Sequence, residues 1–111
     1  MPQIVEVLSD MLSDETVDAD DVARVVKSTR RSVLRWQSAE VTPRRKSEER
    51  LLELKSVVDL ARRLLRPESA RLWLRRRNPE LGDDEPLDLI AQGEYRRVIG
   101  ALLAMAEGVT A

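Results

Sequence analysis

The sequence predicts an all-α fold, in which an N-terminal helix-turn-helix packs against a small C-terminal helical domain. Apolar residues recur every three or four positions along most of the 111 residues, which is the spacing of amphipathic helices. No stretch alternates apolar and polar residues as a half-buried strand does. Prolines and capping residues separate the periodic stretches, so we expect several helices joined by short loops.

Three short helices are predicted in the first half. The first ends near Ser13. Asp18 suits the cap of the second, because its carboxylate can accept a hydrogen bond from a first-turn N–H. Either Ser28 or Thr29 caps the third helix, "RRSVLRWQSA", in which Trp36 is expected to face the core.

The fourth helix is the longest and links the two halves. Pro43 places a loop before it, and Ser47 is predicted to cap it. The helix should run from about Glu48 to Leu65, with an apolar arc broad enough for burial on two sides. We therefore divide the chain into 1–50 and 51–111.

Three more helices are predicted in the second half. Pro67 suits a first helical position and opens "PESARLWLRRR", which stops before Asn78. After a turn-rich connector, Pro86 opens "PLDLIAQ", and Gly93 ends it. The last helix follows and runs almost to the end of the sequence.

The composition argues against an enzyme. The chain has no Cys and no His, which removes Cys-based zinc sites and the commonest general base. Its four glycines form no phosphate loop. The acidic run Asp83, Asp84, Glu85 precedes a predicted helix, where the helix dipole favours negative charge, so we expect neither a metal nor a cofactor.

No apolar run approaches the roughly 20 residues of a membrane span. The stretch "MPQIVEVLSDML" carries two acids and no basic start, so it is not expected to be a secretory signal. We predict a cytoplasmic protein without a membrane partner.

Charge is unevenly distributed despite a formal net charge of -1. All charged residues up to Asp21 are acidic, whereas residues 22–50 are strongly basic. Local sign matters more than net charge for binding a polyanion, although a solvated charged face explains the same cluster.

Two short helices joined by a tight turn, the second basic at its start, are typical of a helix-turn-helix. The stretch "DVARVVKSTRRSVLRWQSAEVTPRR" resembles the Xre/Cro-type version, with Ala23 where the helices cross, Thr29 at the cap and Trp36 near the end. Lys27 departs from the resemblance, because the family often has Gly in that turn.

Basic and hydroxyl side chains on and after this second helix are the candidates for DNA contact. Arginines on its exposed face can bond guanine, and those on the following loop suit phosphates. The alternative is that they face solvent or pair with Asp20 and Asp21. The candidate DNA-binding residues are Ser28, Thr29, Arg30, Arg31, Ser32, Arg35, Arg44, Arg45 and Lys46.

The second half contains the motifs "SARLWLRRRN", "NPELG", "PLDLI", "GEYRRV" and "AMAEGVTA" in this order. From about Ala61 onward their order and spacing resemble the C-terminal domain of the Xre/MbcA/ParS antitoxin family. Arg77 departs from the pattern, since many relatives have Pro there, and so does the acidic "DDE". The residues that carry the resemblance are Ala70, Trp73, Leu74, Asn78, Leu81, Gly82, Pro86, Asp88, Leu89, Gly93 and Leu102.

The resemblance implies an antitoxin of a type II toxin-antitoxin system. Such a protein binds a RES-domain, NAD-degrading toxin, blocks its active site with the C-terminal tail, and represses its own operon through the helix-turn-helix. Tyr95 fits a core position equally well, and the tail also fits an ordinary frayed end. The candidate toxin-binding residues are Tyr95, Glu107, Gly108, Val109, Thr110 and Ala111.

We expect a homodimer within a larger toxin-antitoxin complex, because palindromic operators require paired readers. Relatives in the family also associate through their second halves. One alternative is a solitary or phage-type DNA-binding repressor without a toxin. Another is a protein-interaction module whose first half no longer touches DNA.

Overall fold

The computed structural model describes residues 3–108, and the all-α prediction is confirmed. Besides a 3-10 turn at Pro79–Leu81, this part contains an isolated antiparallel bridge between Asn78 and Asp84. None of its helices is long and apolar enough to cross a membrane. The helices are α1 (Ile4–Met11), α2 (Ala19–Val26), α3 (Arg30–Gln37), α4 (Arg45–Leu64), α5 (Pro67–Arg75), α6 (Pro86–Ala91) and α7 (Tyr95–Ala106).

Side-chain caps define the helix-turn-helix formed by α2 and α3. Asp18 accepts a hydrogen bond from the Asp21 N–H at 2.9 Å, and Asp21 accepts one from the Asp18 N–H at 2.8 Å, completing a capping box. Thr29 accepts from the Ser32 N–H at 3.0 Å and caps α3. Both caps are confirmed, with Thr29 rather than Ser28 at the second.

The start of α4 was predicted wrongly. The helix begins at Arg45, three residues before the expected Glu48, and its N-cap is Arg44, whose side chain makes no capping hydrogen bond. Ser47 therefore lies inside the first turn and is not a cap. The extended backbone of Arg44 follows Pro43 directly, so the chain turns into the helix without a hydroxyl cap.

The helix α4 forms the centre of the molecule and packs against α1, α2, α5, α6 and α7. Leu51, Leu54 and Val58 on this helix are fully buried. A single hydrophobic cluster includes residues of all seven α-helices, so the two halves share one core. The division into 1–50 and 51–111 stays a prediction, and its boundary falls within α4.

Ion pairs also connect the two halves. Asp21 of α2 is 8% exposed and bonds to Arg75 of α5, 54 positions later. Arg24 of α2 donates to Asp88 at 2.6 Å and to Glu85 at 2.8 Å, at the start of α6. The buried Asp21 carboxylate requires such a partner, whereas the Arg24 pairs are partly exposed, and both sets of pairs connect α2 to the second half.

Candidate functional site

The exposed face of α3 is mainly basic, and Val33 and Trp36 define the opposite, buried face. Val33 and Trp36 are buried, which confirms the core position expected for Trp36. Arg30, Arg31 and Arg35 are all exposed. The basic loop predicted to follow α3 lies at the start of α4, where Arg44, Arg45 and Lys46 are exposed as well.

Half of these six cations have acidic partners. Arg30 pairs with Asp20 at 3.2 Å, Arg35 with Glu40 at 2.8 Å, and Arg45 with Glu49 at 3.6 Å. These pairs are exposed, and such pairs are typically worth about 1 kcal/mol or less, so they hold the three arginines only weakly. Within residues 3–108, no ion pair involves Arg31, Arg44 or Lys46.

Pairing with Asp20 and Asp21 was the alternative left open by the sequence. Asp20 does pair with Arg30, whereas Asp21 bonds to Arg75 and is unavailable to α3. The hydroxyl groups are partly engaged too, because Thr29 Oγ1 caps α3 and lies 3.1 Å from Ser32 Oγ. Ser28 is half-buried in the turn. DNA contact by these residues stays a prediction.

The turn residue Lys27 lies beside this face, in a concavity that it shares with Ser32 of α3. Its φ of 56° and ψ of 47° are left-handed. It is exposed and, within the described part of the chain, forms no ion pair. The only signal in the sequence was that this position is not Gly. That signal did not reveal that Lys27 lies next to Arg44.

The end of α7 differs in character. Val98 and Leu102 face the core, but Leu103 is 44% exposed and Met105 is 36% exposed. These two side chains were missed as surface candidates, although they lie outside the buried stripe of the helix.

The first residues of the predicted tail are exposed. Glu107 is the C-cap of α7, and Gly108 takes the left-handed conformation (φ 63°) that commonly ends a helix. Val109, Thr110 and Ala111, predicted to bind the toxin, lie outside the described residues.

Tyr95 begins α7 and is half-buried against the hydrophobic core. The Arg96 guanidinium lies 5.5 Å from the centre of its ring. This position suits both interpretations given above, and toxin contact by Tyr95 stays a prediction. No group of three or more carboxylates in residues 3–108 is arranged to hold a metal ion.

Known proteins similar to this chain are antitoxins. Mycobacterial cidal antitoxin MbcA of Mycobacterium tuberculosis is 39% identical over 90 residues, which are 81% of this chain and 80% of the relative. The probable mycobacterial cidal antitoxin Rv3188 of the same species is 31% identical over 99 residues, covering 89% of this chain and 84% of the relative.

The fold has a solved counterpart. A chain in the crystal structure of the M. tuberculosis MbcT-MbcA toxin-antitoxin complex superposes with a TM-score of 0.87 and 32% identity, and the match covers 100% of both chains. No protein-family model matches the sequence. The identity and coverage of these relatives confirm the resemblance seen in the second half: the chain belongs to the MbcA family of antitoxins.

Proposed function

We propose that the chain is the antitoxin of a type II toxin-antitoxin system and that it inhibits a RES-domain, NAD-degrading toxin by binding. The observation that carries this proposal is the end-to-end match to a chain of the MbcT-MbcA complex. A protein that acts by binding also suits a chain without His, Cys or a phosphate loop. In this proposal the antitoxin itself catalyses nothing.

The tail is the proposed inhibitory element. The exposed Leu103 and Met105 supply apolar contact area just before it. Gly108 redirects the chain after the rigid helix, and the three following residues are small enough to enter an enzyme cleft. Glu107 carries the one charged side chain after Arg97, and in this proposal it pairs with an arginine of that cleft.

The partnership is tested with the protein encoded by the neighbouring gene. The two proteins are co-expressed and purified through a tag on the neighbour, and NAD consumption by the neighbour is then measured while this chain is titrated in. We expect a stable complex and inhibition that saturates at a fixed molar ratio. A neighbour that neither binds nor consumes NAD would favour the solitary or phage-type repressor.

We also propose that the helix-turn-helix represses the operon by binding operator DNA. The exposed basic face of α3, with Arg31 free of ion pairs within the described residues, supports this activity. A good bidentate Arg–guanine contact contributes about 1–3 kcal/mol of discrimination. Paired half-sites would be read by a homodimer.

A gel shift on the upstream intergenic DNA tests the reader. The double variant Arg31→Ala, Arg35→Ala should lose sequence preference while keeping its helical fold, because both side chains are exposed. The matched control is Arg96→Ala, Arg97→Ala on the surface of α7, which should bind operator as the wild type does. If the α3 variant keeps its affinity, preference and salt dependence, α3 is not the recognition helix.

A further inference from the structure

The turn between α2 and α3 contains Lys27, whose backbone adopts a left-handed conformation that is unfavourable for lysine. At φ 56°, the Cβ of Lys27 crowds the following carbonyl, and glycine is the residue that adopts this region without cost. The long side chain is exposed and adds nothing to the hydrophobic core. The backbone of Lys27 caps α2, since its N–H donates to the Ala23 carbonyl, but this role does not require the charged side chain.

Lys27 lines two concavities on the surface. One has a volume of about 340 Å³, and its lining includes four cations, Lys27, Arg44, Lys46 and Arg50, besides Val25, Val26 and Ala91. The other has a volume of about 380 Å³ and lies towards α3. Lys27, Arg44 and Ser47 line both, so two of the three residues that the concavities share are cations.

The chemistry of both concavities suits an oxyanion. Among the residues that the structure describes, no carboxylate lines either of them. Within the described residues, Lys27, Arg44 and Lys46 form no ion pair, whereas Arg50 is held by Glu53 at 2.8 Å. Hydroxyl groups of Ser28, Ser32, Thr42 and Ser47 add neutral donors along the same walls.

We propose that Lys27, Arg44 and Lys46 form a phosphate clamp that binds the nucleic-acid backbone beside the recognition helix. The proposal rests on the proposed DNA-binding function and adds Lys27 to it as a contact residue. Phosphate contacts fix the register of a reading helix without carrying sequence information, and the clamp lies next to α3 in the position that such a role requires. A glycine at this position would relieve the strain but would remove a cation from both concavities.

Lys27→Gly relieves the backbone strain and removes the charge. The strain affects the stability of the fold, whereas the charge affects DNA affinity, so the two measurements separate a structural role from the clamp. We expect the variant to unfold at a higher temperature than the wild type while operator affinity falls about threefold to tenfold. The slope of log affinity against log salt should become shallower by about one unit. Lys27→Arg should keep the wild-type slope.

Two control variants divide the effect. Ala39→Gly relieves a similar left-handed strain (φ 64°) without changing charge, so it should stabilise the fold and leave the slope unchanged. Arg63→Ala removes an exposed cation near the far end of α4, roughly 27 Å from Arg45 along the helix, and should also leave the slope unchanged.

The outcomes separate the clamp from the reader. If Arg31→Ala, Arg35→Ala abolishes sequence preference but Lys27→Gly keeps the full salt slope, the clamp is wrong and DNA reading stands. If the wild type shows no preference for operator DNA, the proposed DNA-binding function is wrong, and the clamp that rests on it is wrong as well. Inorganic phosphate at constant ionic strength distinguishes the two sources of phosphate. If it stabilises the wild type but not Lys27→Gly, and both proteins bind DNA with equal affinity, the site binds free phosphate and the nucleic-acid clamp is overturned.

Discussion

The helices α3 and α7 expose opposite kinds of surface from one shared core. On α3 the exposed side chains are mainly arginines, and on the last turns of α7 they are Leu103, Met105 and small residues. A basic face fits a polyanion and gains its affinity by releasing counterions. An exposed apolar end fits a protein partner and gains its affinity by removing apolar surface from water. The difference fits the two proposed partners, operator DNA at α3 and the toxin at the end of α7.

Salt should separate the two surfaces by the largest margin. If about four phosphates are neutralised at α3 and α4, operator affinity should fall about 100-fold between 50 and 200 mM salt. Affinity for the toxin should change less than about tenfold over the same range, because Glu107 is the one charged residue after Arg97. Titrations of both complexes in the same buffers make the comparison. Equal salt slopes would contradict it.

Arg75→Ala should lower the stability of the fold that supports both surfaces, because it removes an ion pair between the two halves. The variant leaves the buried Asp21 carboxylate without its principal partner, which costs about 3 kcal/mol of unfolding free energy. Arg97→Ala is the control, since its pair with Glu94 is exposed and should cost less than about 1 kcal/mol. Urea denaturation measures both. Equal losses in the two variants would show that the buried pair is not a principal tie.

Leu103→Asp should lower toxin affinity about tenfold and leave operator affinity unchanged, because it places a charge in the proposed apolar interface. Leu34→Asp on α3 is the matched control, since Leu34 is 41% exposed and Leu103 is 44% exposed. Leu34→Asp should leave toxin affinity at the wild-type value. If both substitutions reduce toxin affinity equally, the toxin does not select the α7 end.

Asp14→Asn should have the smallest effect on stability and should change neither operator affinity nor toxin affinity. Partial burial raises the pKa of Asp14, but hydrogen bonds from Thr16 and the pair with Arg62 outweigh it and hold the pKa below its usual range. A lowered carboxyl pKa stabilises the fold above the unfolded value of about 3.9, and that stability disappears as pH falls through the folded pKa. Denaturation between pH 7 and pH 3 should show the variant less stable at pH 7 and the gap closing below about pH 4. A gap that is constant with pH would exclude the charge as its cause.

Local signals predicted much of the fold because they act within one turn of the chain. The caps at Asp18 and Thr29, the proline that opens α5 and the stop at Gly93 are all confirmed. The start of α4 was predicted wrongly because Ser47 is a good cap in isolation, and the sequence does not reveal that the backbone enters the helix at Arg44.

Long-range pairing limited what could be predicted about the site. The motif "SARLWLRRRN" contains four arginines of equal appearance, yet Arg71 and Arg75 pair with Asp18 and Asp21, more than 50 positions earlier. The sequence likewise could not show that Arg30 is paired with Asp20 while Arg31 forms no ion pair among residues 3–108. The orientation of α3 was predictable, because Val33 and Trp36 define its buried side.

The most direct test is intracellular NAD after induction of the neighbouring gene in cells that carry different forms of this chain. We predict that NAD collapses without the chain, is preserved by the full chain and by Arg31→Ala, Arg35→Ala, and collapses again with a chain truncated after Glu107 that still binds the toxin. Preservation of NAD by the truncated chain would contradict the tail as inhibitor and assign neutralisation to the body of the domain. Loss of NAD with the α3 variant would contradict the separation of the two surfaces.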